Sequence, residues 1–216
     1  MQPTRHPDRF VDRHLGPDSR AIEEMLAVLG VRNLELVAPD LNVPSFGRLD
    51  FRAMARLAQS EAKRHEPSVI VGSSLGALVA LELGRHGASP PVVLIAPALG
   101  FGRRWIEKLS PGDPILFFHH AQEKDLPIHR RFFEQLAEID SDREPPAAPV
   151  VVVMGTGDES VPFENVREHW RRWERSGRLF PGSRFIEVAG GDHGLVEHAP
   201  MIAAEIVRLA LEETPV

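Results

Sequence analysis

The chain has 216 residues, 43% of them apolar and 26% charged, with a formal net charge of −6. That length supports a sizeable core in a single domain, 1–216, and the acidic balance argues against a nucleic-acid partner. Cysteine is absent, which excludes disulfides, thiolate catalysis and Cys-ligated metals, and no apolar run approaches a membrane span. Residues 1–10 (MQPTRHPDRF) lack the apolar stretch of a secretory signal, so a cytoplasmic location is expected.

The predicted elements alternate between strand and helix. Residues 9–15 are a candidate first strand, with charges where a central strand wants apolar side chains. Residues 18–30 carry Ile22, Met25, Leu26 and Leu29 on one helical face, capped by Asp18 or Ser19 and stopped by Gly30. Residues 34–38 form a strand ended by Pro39, and residues 50–65 a helix patterned by Phe51, Met54 and Leu57. Val69, Ile70 and Val71 make a β-branched strand, residues 75–83 a helix apolar almost all round, and Gly87 its C-cap. Strands follow at 92–96, 150–154 and 184–188. Residues 163–173 read as an amphipathic helix with a solvated arginine face, and residues 201–211 as a closing helix with Pro200 in its first turn. Such alternation means βα units and a mostly parallel sheet covered by helices on both faces, an α/β fold.

Residues 97–149 break the rhythm. They are too long for a connection, contain a predicted helix over 126–139 and end in EPPAAP. An insertion above the strand C-termini is where a cap or lid belongs. It is rich in aromatics, with Phe101, Trp105, Phe117 and Phe118 as candidate substrate contacts and Phe132 and Phe133 beside them. A small satellite core built from the same rings is the competing explanation.

The chemistry starts at Gly72-Ser73-Ser74-Leu75-Gly76, a G-x-S-x-G set at a strand-to-helix junction. The bare pattern arises by chance in roughly one chain of this length in fifteen, so its context carries the argument. A strand before it and a helix after it make it a nucleophile elbow, which presents Ser74 at the tip of a sharp turn. A serine hydroxyl needs a base to take its proton, and the base needs an orienting carboxylate. In the α/β-hydrolase fold these partners follow in the order Ser, Asp/Glu, His, each past a strand C-terminus. Asp158 lies on a Gly-rich turn after the strand at 150–154, and His193 in a similar loop after the strand at 184–188. Glu159 is an alternative acid; Asp158 is favoured by its motif position. Asp192 is expected to turn back on its own backbone, and Ser73 to neighbour the nucleophile. His119, His120 and His129 have no carboxylate at a familiar ligand spacing, so surface or cap positions are expected and no metal is implied.

Five blocks, 36–42 (LVAPDLN), 71–76 (VGSSLG), 96–102 (APALGFG), 154–158 (MGTGD) and 191–193 (GDH), resemble the small α/β-hydrolases of the YqiA-like esterase group. The resemblance runs from about residue 34 to residue 211. It implies a soluble serine esterase or thioesterase with a short cap and no cofactor, in which Ser74 is nucleophile, Asp158 acid and His193 base. It also implies an oxyanion hole from the Leu75 backbone N–H and one from Leu15 or Gly16. Family members usually open with an apolar strand running into a His-Gly loop, where this chain has His14-Leu15-Gly16-Pro17 after a polar strand. Residues 1–30 also resemble the start of the glycine-cleavage P-protein. Two alternatives stay open: an amidase or peptidase on the same triad, and a hydrolase-fold binding protein with little turnover.

Overall fold

Five strands line up in parallel, and the middle three are too apolar to face water on either side. They are β1 (Phe10–Val11), β2 (Ile70–Ser73), β3 (Val92–Ile95), β6 (Val150–Gly155) and β7 (Arg184–Val188), in the order β1-β2-β3-β6-β7. The computed structural model describes residues 10–11, 27, 36–85, 89–107, 115–119, 124–139 and 144–211. Register is continuous across the middle of the sheet, with Ile70 opposite Val92, Val92 opposite Val150, and Val152 opposite Phe185.

Alternate residues of these strands feed two cores. Ile70, Val92, Leu94, Val150, Val152 and Met154 pack with α1 (Phe51–His65), α2 (Leu75–Gly84) and α5 (Phe163–Ser176). Val69, Val71, Val93, Ile95, Val151 and Val153 pack with α6 (Ala199–Leu211) through Ile202, Ala203, Ile206 and Leu209. Covered on both faces, β2, β3 and β6 have no polar alternation to show, whereas the outer strand β7 exposes Arg184 and Glu187.

The helices follow their sequence patterns. Asp50 caps α1 by accepting a 2.7 Å bond from the Ala53 N–H, and Phe51, Met54 and Ala58 form its buried stripe. Its last turn carries Lys63, Arg64 and His65, which suits the negative end of the helix dipole. In α5, Val166, Trp170 and Trp173 are buried, and Gly177 ends the helix in the left-handed conformation at φ 66°. Its arginine face is only partly solvated. Arg171 and Arg172 are exposed, but the Arg167 guanidinium lies 4.7 Å from the centroid of the Phe185 ring.

Residues 97–149 hold α3 (Phe101–Ile106), an antiparallel hairpin of β4 (Ile115–His119) and β5 (Lys124–Ile128), and α4 (Arg130–Ile139). The predicted helix over 126–139 is therefore corrected. Its first residues belong to β5, and the helix starts at Arg130. Pro127 explains the difference, since proline pushes the residue before it toward extended backbone and has no N–H to donate in a helix. Gly102 lets α3 lie directly on α4, because a Cβ there would be 2.6 Å from Ala137 N. Phe132 and Phe133 are fully buried in the main core, and each ring contributes roughly 1.5–3 kcal/mol relative to an exposed one. Gln135 ties α4 to the domain: its Oε1 accepts from the Phe51 N–H at 2.9 Å and its Nε2 donates to Asp50 at 2.8 Å.

The candidate first strand at 9–15 is described at Phe10 and Val11, which pair in parallel with Ile70 and Val71. The strand expected at 34–38 is described from Leu36, with a single bridge at Val37. The helix expected at 18–30, apart from a helical Ala27, lies outside the described residues, as does Gly87. The cap expected at Gly87 is corrected to Arg85, since α2 already ends at Gly84.

Candidate active site

In parallel strands all C-terminal ends share one sheet edge, and ligand sites of α/β folds open there. At that edge β2 hands over to α2 through Ser74, whose backbone sits at φ 50°, ψ −114°. A non-glycine residue in that region costs on the order of 1–3 kcal/mol and persists only when its surroundings hold it. Here the next strand holds it. The Ser74 N–H donates to the Ile95 carbonyl at 2.8 Å, and the Ser74 carbonyl accepts from the Ala98 N–H at 3.0 Å. Gly72 makes the tight turn possible, since a Cβ there would stand 2.5 Å from the Gly76 carbonyl oxygen. Leu75 is the first residue of α2, so its N–H has no intrahelical acceptor.

Beyond β6, Asp158 turns back into the protein with its side chain fully buried. Its Oδ1 accepts from the Ser160 and Val161 N–H groups, both at 2.8 Å, which leaves Oδ2 for another donor. That donor is His193, past β7, whose Nδ1 lies 2.8 Å from Oδ2. An ionised carboxylate only accepts, so Nδ1 carries the ring proton and Nε2 keeps a lone pair. Nε2 lies 3.0 Å from Ser74 Oγ. The half-buried ring thus joins a hydroxyl that can give a proton to a carboxylate that fixes which nitrogen takes it.

The two loops beyond β6 and β7 are fitted to each other by backbone. The Gly157 N–H donates to the Gly191 carbonyl and the Thr156 N–H to the Val188 carbonyl, both at 2.9 Å. A Cβ on Gly155 would lie 2.1 Å from the Gly191 oxygen, so that contact requires glycine. Nothing in the sequence pairs these residues; the only signal is that both loops are glycine-rich.

The other candidates fall as follows. Glu159 is exposed beside the buried Asp158. Asp192 accepts from the Leu195 N–H at 2.9 Å, the local turn expected of it. Phe101, Trp105 and Phe133 stack together with centroid distances of 5.7, 5.8 and 6.1 Å, continuous with the main core. Phe117 and Phe118 are described as backbone of β4. Leu15, Gly16 and His120 lie outside the described residues. His129 is exposed just before α4, and among the described residues no group of three or more metal-ligating side chains gathers. No helix among them is long and apolar enough to cross a membrane.

The model of the Uncharacterised protein family UPF0227 matches residues 15–200. No curated protein sequence matches the chain. Among solved structures the chain is similar to Est1E from Butyrivibrio proteoclasticus, at 15% identity and TM-score 0.69, covering 97% of this chain and 89% of that one. It is similar to a monoacylglycerol lipase from Paleococcus ferrophilus, at 15% identity and TM-score 0.69, covering 94% and 93%. It is also similar to mouse alpha/beta hydrolase domain-containing protein 10, at 19% identity and TM-score 0.69, covering 94% and 89%. These likenesses assign the fold.

Proposed function

Since the chain belongs to the UPF0227 family and has the α/β-hydrolase fold, we propose that it is a serine hydrolase cleaving a carboxylic ester or thioester. One observation carries this reading: the His193 ring is hydrogen-bonded to Ser74 Oγ at one nitrogen and to the buried Asp158 at the other. His193 Nε2 takes the Ser74 proton as Oγ attacks the substrate carbonyl. Asp158 stabilises the imidazolium that forms. The tetrahedral oxyanion is received by the Leu75 N–H and by one from Leu15 or Gly16. The imidazolium then protonates the leaving alcohol or thiol, and the acyl group stays on Ser74. Water, deprotonated by the same nitrogen, releases the acid and restores the enzyme.

Residues 97–149 serve as a cap on a single domain. They leave the sheet directly after β3, beside the Ser74 turn that Ala98 braces. Phe101 and Trp105, on α3, are the aromatic groups of that cap nearest in sequence to the turn. An ester or thioester is favoured over an amide because esterases and a lipase are among the proteins of like fold.

The test is a panel of p-nitrophenyl esters and acyl-CoA thioesters of graded chain length, offered to wild type and Ser74→Ala. Turnover by wild type alone is expected. A folded protein that binds acyl compounds and hydrolyses none of them would support the binding-protein alternative.

A further inference from the structure

The seam between the loops that carry Asp158 and His193 contains a third hydrogen bond, and it is made by a side chain. Thr156 Oγ1 accepts from the Gly190 N–H at 2.8 Å. Gly190 sits at φ 70°, at the reversal that turns the chain back after β7 toward His193. Thr156 lies two residues before Asp158, and Gly190 three before His193. The hydroxyl thus spans the mouth of both loops just upstream of the two groups whose separation sets the Asp158–His193 bond.

The two backbone bonds of the seam fix how closely the loops approach. With the Gly191 N–H donating to the Val188 carbonyl at 3.1 Å, the turn is closed, but its central peptide, which carries the Gly190 N–H, can still flip because glycine has access to both signs of φ. The Thr156 hydroxyl removes that freedom by holding the Gly190 N–H. We propose that Thr156 is a positioning residue for His193: its hydroxyl locks the turn at Gly190 and so keeps the imidazole aligned with Asp158 and Ser74. This rests on the serine-hydrolase reading for its consequence in turnover, though not for its consequence in ring geometry. The groups that meet the ring are Asp158 at Nδ1 and Ser74 at Nε2, while Asp192 on the same loop is turned to the Leu195 N–H. Thr156 and Gly190 are both exposed, so the bond adds little to global stability and its loss is felt locally.

The experiment compares wild type with Thr156→Val, which keeps the shape and removes the hydroxyl, and Thr156→Ser, which keeps the hydroxyl. Two readouts are taken: kcat and KM on the best ester of the panel, and the low-field proton resonance of the His193 ring N–H in substrate-free protein. Thr156→Val is expected to lower kcat roughly 10-fold with KM nearly unchanged, since small misplacements of reacting groups are costly. Its ring N–H resonance is expected to shift or broaden through exchange. Thr156→Ser is expected to restore both readouts. A folded Thr156→Val with wild-type kcat and a wild-type resonance would overturn the proposal, as would a Thr156→Ser variant as impaired as Thr156→Val. If Thr156→Val misfolds, Thr156→Ala removes the same hydroxyl and decides on the same readouts. If wild type hydrolyses nothing, the function reading fails, and the resonance alone still decides whether Thr156 aligns the ring.

Discussion

His193 Nδ1 lies 2.8 Å from Asp158 Oδ2, although the two residues are 35 positions apart on the loops of neighbouring strands. The carboxylate is anchored by two backbone N–H groups on its other oxygen, so it cannot rotate away without leaving those donors unpaired. An amide in its place would keep its oxygen on the Ser160 and Val161 N–H groups and turn an NH2 toward Nδ1. That favours the wrong imidazole tautomer, with the proton facing Ser74. Asp158→Asn is therefore expected to lower kcat on the order of 10⁴-fold with KM little changed. Glu159→Gln, at the exposed neighbour, is expected to leave both parameters within about twofold, since surface changes away from such features have small effects. Steady-state kinetics on the two variants, with folding checked by thermal melts, separates them. Equal losses would mean that the acid is not assigned to Asp158.

A histidine base works only while its imidazole is neutral, and histidine is the side chain whose charge changes near physiological pH. A histidine base therefore predicts that kcat/KM falls on acidification along a single ionisation. A folded protein whose kcat/KM does not fall on acidification would contradict a histidine base. Buffers of constant ionic strength keep the profile free of charge screening.

Asp50 and Gln135 give a stability test away from the site. The Gln135 side-chain hydrogen bond, with further help from the Ala53 N–H and the Arg56 and Arg131 charges, holds the Asp50 carboxyl below its usual 3.8, and burial opposes this. A carboxyl depressed in the folded state adds stability that is complete above 3.8 and lost as pH falls through its folded value. Asp50→Ala is expected to cost about 1–2 kcal/mol near pH 7, typical of losing an N-cap. The gap from wild type should close as pH falls below about 4. Gln135→Leu leaves the Phe51 N–H and one Asp50 oxygen unpaired, and is expected to cost about 1–3 kcal/mol. Urea melts across pH check both. A constant Asp50→Ala deficit down to about pH 2 would mean that its charge is not what stabilises the cap.

The middle of the sheet was legible because its strands are apolar and bounded by turns: Val150 to Val153 is an unbroken β-branched run, buried throughout. The elbow was legible because Gly72 and Gly76 flank a serine where only small residues let a strand and helix meet, as the 2.5 Å clash at Gly72 shows. The strand Lys124–Ile128 was not, because Leu126 and Ile128 fit a helical stripe that continues into Phe132 and Phe133, and pattern outweighed the proline between them. The Gln135 anchor was invisible because a buried amide facing an N-terminus 84 residues away leaves no local trace. Phe101 and Trp105 could equally line a pocket or a core, and only their ring contacts with Phe133 show that they are packed.

The central claim is that Ser74 is an activated nucleophile, and covalent labelling by a fluorophosphonate tests it most directly. The proposed chemistry requires one adduct per chain, located at Ser74 by peptide mass spectrometry, absent from Ser74→Ala and strongly slowed in His193→Ala. A folded wild-type protein that takes up no label, or a label that persists in Ser74→Ala, would contradict it.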